Sequence, residues 1–341
     1  MNRFSPLRFL ALVLAGVFIW LMAAGASLLV GSTGAIGFPT ADQFRWRLDP
    51  ILVASLVGAA LACSGVVYQA ILRNPLADPY LLGISSGASL FSYLWQFGSA
   101  TVILTALGRG GAALSQQAFA FAGAMMAVAI VFLLASNRGR LEPITLLLVG
   151  VIVNAVNGSL FLLLNAITRD RPGMSPISFL VGGINTTLTD QQKWAALIVI
   201  AIGWLAMLYI AGQLNVASLS EAEAESLGVR IHRLRWMGLV IASLVTASAV
   251  AISGPIGFVG LVCPHLARLI VGRDVRRLLP VATAIGAGLL AIADAASRYL
   301  AGMGRAETLL PVGVLTGLLG GPFFLLLLWQ TRRRLAPEGQ R

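Results

Sequence analysis

Residues 143 to 167 read PITLLLVGVIVNAVNGSLFLLLNAI, a run of 25 residues without a charged side chain. A helix needs about 20 mainly apolar residues to cross the hydrocarbon core of a bilayer. This run is long enough, and it contains no charge that would have to be buried in lipid. The stretch therefore predicts a transmembrane helix.

The rest of the chain repeats this pattern. Of its 341 residues, 58% are hydrophobic and 11% are charged, which is about half the charge content of a typical soluble domain. One soluble core could not bury so many apolar residues, whereas ten helices of about 20 residues would account for them. No sustained alternation of apolar and polar residues indicates a membrane β-barrel. We predict an all-α, polytopic helical membrane protein with a single transmembrane domain over residues 1–341. The predicted spans lie near residues 9–30, 50–72, 81–107, 115–136, 143–167, 192–212, 235–253, 256–271, 279–301 and 308–330.

The basic residues predict the orientation of these spans. Of the 24 basic residues, 23 are arginine, and they are scattered between apolar runs rather than clustered to bind nucleic acid. With the amino terminus inside, 16 of them fall on the cytoplasmic side and eight on the other, so both termini are predicted to be cytoplasmic. Residues 9–30 are longer than a typical signal-peptide core, which favours a retained first span over a cleaved signal.

The sequence predicts no energy source within the chain. A phosphate-binding loop of the Walker type ends in Gly-Lys-Ser/Thr, and the only lysine, Lys193, follows Gln192. A proton- or sodium-driven carrier is expected to have ionisable residues inside its spans, and the chain offers mainly Asp294 and Arg298. Because they are four residues apart, they share a helix face, either as a neutralised structural pair or as a functional contact. The energy source is therefore expected to dock from outside.

The segment between the sixth and seventh spans is the candidate docking element. Residues 218–235 read SLSEAEAESLGVRIHRLR. Ser220 and Glu223 fit a capping box, Glu221 places negative charge in the first turn, and Gly228 stands where a helix would stop. The pattern predicts a short cytoplasmic helix at about residues 218–230. It is either a simple connector or a rigid docking element, and we favour the docking element.

Four blocks of sequence resemble the permease subunits of ABC importers for iron chelates, haem and cobalamin. They occur in the family's order and cover the chain from about residue 47 to residue 330. The blocks are RNPLADP at 73–79 continuing through LGISSGA at 82–88, AESLGV at 224–229, GPIGFVGLVCPH at 254–265, and LPVG at 310–313 through GPFF at 321–324.

The resemblance implies an architecture and a set of partners. It implies the type II ABC importer permease fold, with ten transmembrane helices in each of two identical or related subunits around a translocation path. Two cytoplasmic ATPase subunits would bind ATP and Mg²⁺, and a periplasmic binding protein would deliver the substrate. The chain itself would bind no cofactor and catalyse no covalent step. The implied site residues are Ser220, Glu221, Glu223, Leu227 and Gly228 for ATPase coupling, Pro143, Ile144 and Thr145 for the cytoplasmic gate, and Arg47, Arg298 and Arg305 for binding-protein docking.

Three further features bear on the site. Asn154 and Asn157 share a face of the fifth span, where they would either line a polar path or bond across helices. Relatives commonly carry Arg-Leu-Pro-Arg at the start of the second span, whereas this chain has RLDP at 47–50 and so gains Asp49. This departure puts the docking contact on that side in doubt. Phe179 stands where the family usually has tryptophan, and the sequence gives no functional account of it.

We expect the chain to be the permease subunit of an ATP-driven importer that carries an iron–siderophore complex across the bacterial inner membrane. Haem and cobalamin are the alternative cargoes, and the sequence does not separate them. An ion-coupled secondary carrier, a different class, would transport without nucleotide or partners. A membrane-embedded enzyme would need a convergent polar cluster that the sequence does not show. His265 lies near Cys263, but a metal ion needs several converging ligands, so no metal site is predicted.

Overall fold

Helices form almost all of the regular structure in this computed structural model, which describes residues 6–31, 34–96, 115–137, 139–168, 177–184, 188–217, 221–226, 228–303 and 310–335. A 3₁₀ helix covers Pro79–Leu82, and a small antiparallel hairpin pairs β1 (Ser136–Asn137) with β2 (Arg140–Leu141). The helices are α1 (Pro6–Leu28), α2 (Ala41–Ile71), α3 (Ile84–Gln96), α4 (Gln116–Ala135), α5 (Pro143–Thr168), α6 (Ile177–Leu180), α7 (Asp190–Ala217), α8 (Glu221–Ser226), α9 (Ile231–Ser253), α10 (Val259–Val271), α11 (Val275–Met303) and α12 (Val312–Leu335).

Each of the ten predicted spans contains a helix, and the prediction of an all-α polytopic membrane protein is confirmed. Within the described residues, α1, α2, α4, α5, α7, α9 and α11 are long and apolar enough to cross a membrane. The predicted eighth span needs a correction, because α10 has only 13 residues. At 1.5 Å per residue it is about 20 Å long, less than the thickness of a hydrocarbon core. Residues 254–258, predicted partly as helix, form the non-helical connection before it.

The helix α2 is the centre of the bundle. It contacts α1, α7, α9, α10 and α11. In its apolar 18-residue stretch 83% is buried, whereas the corresponding share is 17% in α1 and 22% in α5. Glycines allow the close contacts: Gly58 faces Gly286 of α11, and Gly65 faces Gly260 of α10, so that a Cβ atom on Gly58 or Gly65 would collide with the opposing backbone. Such small residues let membrane helices approach closely. The large apolar surfaces of α1 and α5 are left facing outward, toward lipid or another chain.

Two helices begin at the same kind of capping box, on the side of the bundle opposite α8. Thr40 precedes α2, and its Oγ1 accepts a hydrogen bond from the N–H of Gln43 at 3.4 Å, while the Gln43 side chain accepts from the N–H of Thr40. Thr189 and Gln192 make the same reciprocal pair at the start of α7. Each box satisfies two backbone donors that a helix start leaves unpaired. These ends carry Arg47, Asp49 and Lys193 to the predicted outer face.

Candidate functional site

Two of the quoted blocks, 73–79 and 254–265, meet beside the connection between α2 and α3. Asp78 caps the 3₁₀ helix, because its Oδ1 accepts a hydrogen bond from the N–H of Tyr80 at 2.8 Å. Burial raises the pKa of the Asp78 carboxyl to about 6, against the opposing effect of this hydrogen bond. The cap directs Tyr80 toward the block at 254–265.

The Tyr80 hydroxyl binds the connection between α9 and α10 through both of its hydrogen-bonding functions. It donates to the carbonyl of Ile256 at 3.0 Å and accepts from the N–H of the same residue at 2.9 Å. Gln69 of α2 strengthens the junction: its Nε2 donates to the carbonyl of Gly260 at 3.3 Å, and its Oε1 accepts from Arg268 at 2.9 Å. Side-chain hydrogen bonds therefore join residues more than 170 positions apart, and those of Tyr80 bind backbone groups in a segment that is not helical.

Asn154 and Asn157 connect α5 to the same junction. The Asn154 amide donates to the carbonyl of Tyr80 at 3.1 Å, and the Asn157 amide donates to the hydroxyl of Ser86 at 3.1 Å. The sequence left open whether these residues line a polar path or bond across helices. In the structure both of them bond across helices. They fix α5 against the 3₁₀ helix and α3.

The third and fourth blocks meet at a pair of glycines, Gly182 and Gly183. The N–H of Gly183 donates to the carbonyl of Ser253 at 2.8 Å, and the N–H of Gly313 donates to the carbonyl of Gly182 at 3.0 Å. Gly182 has a φ of +65°, and a Cβ on it would lie 2.0 Å from the carbonyl oxygen of Pro255. Only glycine fits this position without distortion. The junction joins α9, α12 and the short α6, which contains Phe179.

The predicted docking helix is present but shorter than predicted, since α8 covers Glu221–Ser226. Gly228 has a φ of +78°, the left-handed conformation expected where a helix stops. Ser220 and Leu227 lie outside the described residues, and so does the capping box predicted for Ser220. Ala224 is fully buried while Glu223 is exposed, so α8 packs on the bundle through one face and presents another.

The predicted gate residues lie at the first turn of α5. Pro143 begins the helix, Ile144 is 74% exposed, and the Thr145 hydroxyl donates to the carboxylate of Glu142 at 3.1 Å. The hairpin of β1 and β2 immediately precedes this turn, and Leu141 of β2 is buried. The first turn of α5 therefore follows a segment that is anchored in the bundle.

A second contact at this end joins the helix before α8 to α11. The Asn215 amide of α7 donates to the carboxylate of Asp274 at 2.7 Å, and its carbonyl accepts from the N–H of Val275 at 2.7 Å. Asn215 therefore ties the last turn of α7 to the first turn of α11.

The two described arginines predicted to dock a binding protein both donate to carbonyls of the chain's own backbone. Arg47 Nη1 donates to the carbonyls of Leu28 and Gly37 at 2.9 and 2.8 Å. Arg298 Nη1 donates to the carbonyl of Val30 at 2.7 Å. The last carbonyls of a helix have no partner within it, and these guanidinium groups supply donors at and just beyond the end of α1.

For Arg298 this placement corrects the expectation of an exposed docking cation. The residue is 5% exposed, its Nη2 donates to the Ser27 hydroxyl at 3.0 Å, and the same nitrogen lies 2.9 Å from the Asp294 carboxylate. A buried carboxylate is unfavourable without a cation beside it, which explains why the guanidinium turns inward. Of the two alternatives for Asp294 and Arg298, the structure favours the neutralised pair. Arg305, the third docking candidate, lies outside the described residues.

The acid gained at the start of α2 has a partner in the chain's single lysine. Lys193 Nζ donates to the Asp49 carboxylate and also lies 3.3 Å from the carboxylate of Asp190. The pair joins α2 to α7 across 144 positions of sequence. Beside it, Arg45 and Trp46 line an open bay of about 730 Å³, and Trp46 is 83% exposed. The departure at Asp49 therefore has a structural explanation, whereas nothing in the structure explains phenylalanine at position 179.

Sequence reasoning missed several residues that hold these junctions. Gln69 could have been noticed, because a polar residue inside an apolar span usually has a specific partner. Nothing in the sequence indicated which partner Tyr80, Asn215 or Lys193 would contact. Among the described residues no group of three or more His, Cys, Asp or Glu side chains could hold a metal ion, and His265 packs edge-on against Phe323.

Comparisons with known proteins agree with this architecture. The model of the FecCD transport family matches residues 8–330. The cobalamin import system permease protein BtuC of Halobacterium salinarum is 39% identical over 284 residues, which are 83% of this chain and 72% of the relative. The hemin transport system permease protein HmuU of Yersinia pestis is 39% identical over 292 residues, 84% of this chain and 83% of the relative. A solved structure described as a metal-chelate type ABC transporter in an inward-facing conformation has a TM-score of 0.79 and 30% sequence identity, covering 94% of this chain and 99% of that one. The matched residues contain all four sequence blocks.

Proposed function

Because this chain belongs to the FecCD transport family, we propose that it is the membrane-spanning subunit of an ABC importer that moves an iron–siderophore complex across the bacterial inner membrane. The observation that carries the proposal is the likeness to the metal-chelate type transporter over 94% of the chain. The two relatives at 39% identity have different cargoes in their names, cobalamin and hemin. Overall similarity therefore supports a metal chelate as cargo, with haem or cobalamin as the alternatives to a siderophore complex.

The proposed partners each have a surface to bind. The exposed side of α8 would contact an ATPase subunit in the cytoplasm, where both termini of the chain would also lie. The outward apolar face of α5 is left uncovered by the rest of the chain and includes the exposed gate residue Ile144. This face would therefore line the path against a second permease subunit. The outer ends of α2 and α7 would meet the periplasmic binding protein through weak, steering contacts.

The proposed mechanism is alternating access without a covalent step in this chain. ATP binding would draw two ATPase subunits together, and the docked α8 helices would reorient the spans around the cargo. The residues of this chain position the moving parts: Tyr80 and Gln69 hold the connection between α9 and α10, and Asn154 and Asn157 hold α5.

Reconstitution tests the proposal. The chain is placed in liposomes with the ATPase and binding protein from neighbouring genes, and uptake of ⁵⁵Fe-siderophore, haem and cobalamin is compared. We expect uptake that requires ATP and all partners, and that is fastest for the siderophore complex. Faster uptake of haem or cobalamin would show that this compound, and not a siderophore complex, is the cargo. Accumulation by the chain alone, driven only by an ion gradient, would show a secondary carrier and refute the proposal.

A further inference from the structure

One side chain joins the helix that follows α8 to the hairpin that precedes α5. The indole N–H of Trp236 in α9 donates to the carbonyl of Gly139 at 3.0 Å. The same ring meets Phe132, in the last turn of α4, edge-on with a centroid distance of 5.3 Å and an interplanar angle of 79°. Gly139 lies in the turn between β1 and β2 with a φ of +78°. Trp236 thus contacts both the end of α4 and the hairpin that continues into α5.

The connection from α8 to Trp236 is short. The buried Ala224 packs α8 against the bundle, and its carbonyl accepts a hydrogen bond from the N–H of Val229 at 3.1 Å. Ile231, the first residue of α9, is also buried. Trp236 follows five residues later, about 8 Å along the helix. A displacement of α8 therefore reaches Trp236 through less than two turns of packed helix.

The connection from Trp236 to the gate is equally short. Gly139 lies four residues before Pro143, where α5 begins. Leu141, between them, is 1% exposed and pairs with Ser136 in the hairpin, so the segment is anchored and ordered by backbone pairing. α8 contacts α7 and α9, while β2 contacts α9. The helix α9 is thus the common neighbour of the docking helix and the hairpin.

We infer that Trp236 is a positioning residue that transmits the movement of α8 to the first turn of α5, the segment Pro143–Thr145. This inference rests on the proposed function, since it requires α8 to be moved by an ATPase partner. The indole N–H is the specific element: it fixes the distance between α9 and the hairpin turn, whereas the ring contact with Phe132 alone would permit sliding. A net contribution typical of one hydrogen bond corresponds to about a two- to tenfold change in the equilibrium that it biases.

The variant Trp236→Phe removes the N–H and keeps an aromatic ring. Trp204→Phe is the matched control, because Trp204 also donates through its indole, to Thr283 at 3.0 Å, but between α7 and α11. The reporter is Ile144→Cys, since Ile144 is 74% exposed and the native Cys63 and Cys263 are buried. The rate of labelling by a membrane-impermeant maleimide is measured in the assembled complex with and without ATP.

Different results would contradict the role of Trp236 and the proposed function on which it rests. We expect ATP to change the labelling rate of the reporter chain, Trp236→Phe to reduce that change about two- to tenfold, and Trp204→Phe to leave it intact. Trp236→His, which keeps a ring N–H, should restore part of the change. No effect of ATP on the reporter chain itself would contradict the proposed function. A normal effect of ATP in Trp236→Phe would overturn the inference, and so would loss of assembly in Trp236→Phe but not in Trp204→Phe, which would show a purely structural role.

Discussion

Removing the Tyr80 hydroxyl should destabilise the bundle at its non-helical junction. In Tyr80→Phe the aromatic ring is kept, but the carbonyl and the N–H of Ile256 both lose their partner. Ile256 is fully buried, so water cannot easily replace the hydroxyl. Leaving a buried polar group unpaired costs about 1–3 kcal/mol in proteins generally, and side-chain hydrogen bonds in membrane proteins average nearer 0.6 kcal/mol. Two unpaired backbone groups at about 1–3 kcal/mol each would cost about 2–6 kcal/mol. Because the average in membrane proteins is lower, we expect a loss of about 2–4 kcal/mol in the free energy of unfolding.

The assay is reversible unfolding of the purified chain in mixed detergent–SDS micelles, followed by circular dichroism. Tyr209→Phe is the control, because Tyr209 is 84% exposed and makes no hydrogen bond within the described residues. It should change the free energy of unfolding by less than about 0.5 kcal/mol, as surface substitutions usually do. Equal stability of the two variants would refute the reasoning, because it would mean that the 254–258 connection does not depend on the Tyr80 bridge.

Three other variants test separate parts of the structure. Arg298→Met should lower the free energy of unfolding by about 3–5 kcal/mol, because it leaves the buried Asp294 unpaired; a stable variant that only loses affinity for the binding protein would restore the docking role. Replacing Leu227 with Glu and Gly228 with Arg should leave membrane insertion intact but abolish uptake driven by the ATPase, and unimpaired uptake would remove the docking assignment of α8. Asp78→Asn should flatten the pH dependence of unfolding. The carboxyl has a raised pKa of about 6 in the folded chain, so the wild-type free energy of unfolding should fall as the pH rises from about 4 through 6. An equally steep fall in the variant would exclude Asp78 as its source.

The fold class was predictable because its physical cause is local. A bilayer accepts backbone only where hydrogen bonds are made within the segment or the protein, so each apolar run of about 20 residues indicates a helix without knowledge of its neighbours. The same logic failed for the predicted eighth span. Residues 256–258 were predicted as part of that span, but in the folded chain the carbonyl and the N–H of Ile256 are both bound by the Tyr80 hydroxyl, which competes with helical hydrogen bonds.

The candidate site was predictable as a set of segments but not as a set of contacts. The sequence indicated a helix between the sixth and seventh spans and a polar face at Asn154 and Asn157. It did not indicate that these amides would bond to Tyr80 and Ser86. The family resemblance also implied an outer docking role for Arg298, whose side chain is buried in the structure. A resemblance in sequence does not determine the direction of a long side chain.

The sequence by itself determined that this chain is a polytopic helical membrane protein, where most of its helices lie, and which family it resembles. Only the tertiary structure decided that Asp49 pairs with Lys193, that Arg47 and Arg298 bind the end of α1, and that Trp236 touches the hairpin before α5. The reason is that hydropathy depends on neighbouring residues along the chain, whereas a polar partner depends on which helices approach one another. That approach is set by close contacts such as Gly58 on Gly286, between residues more than 200 positions apart.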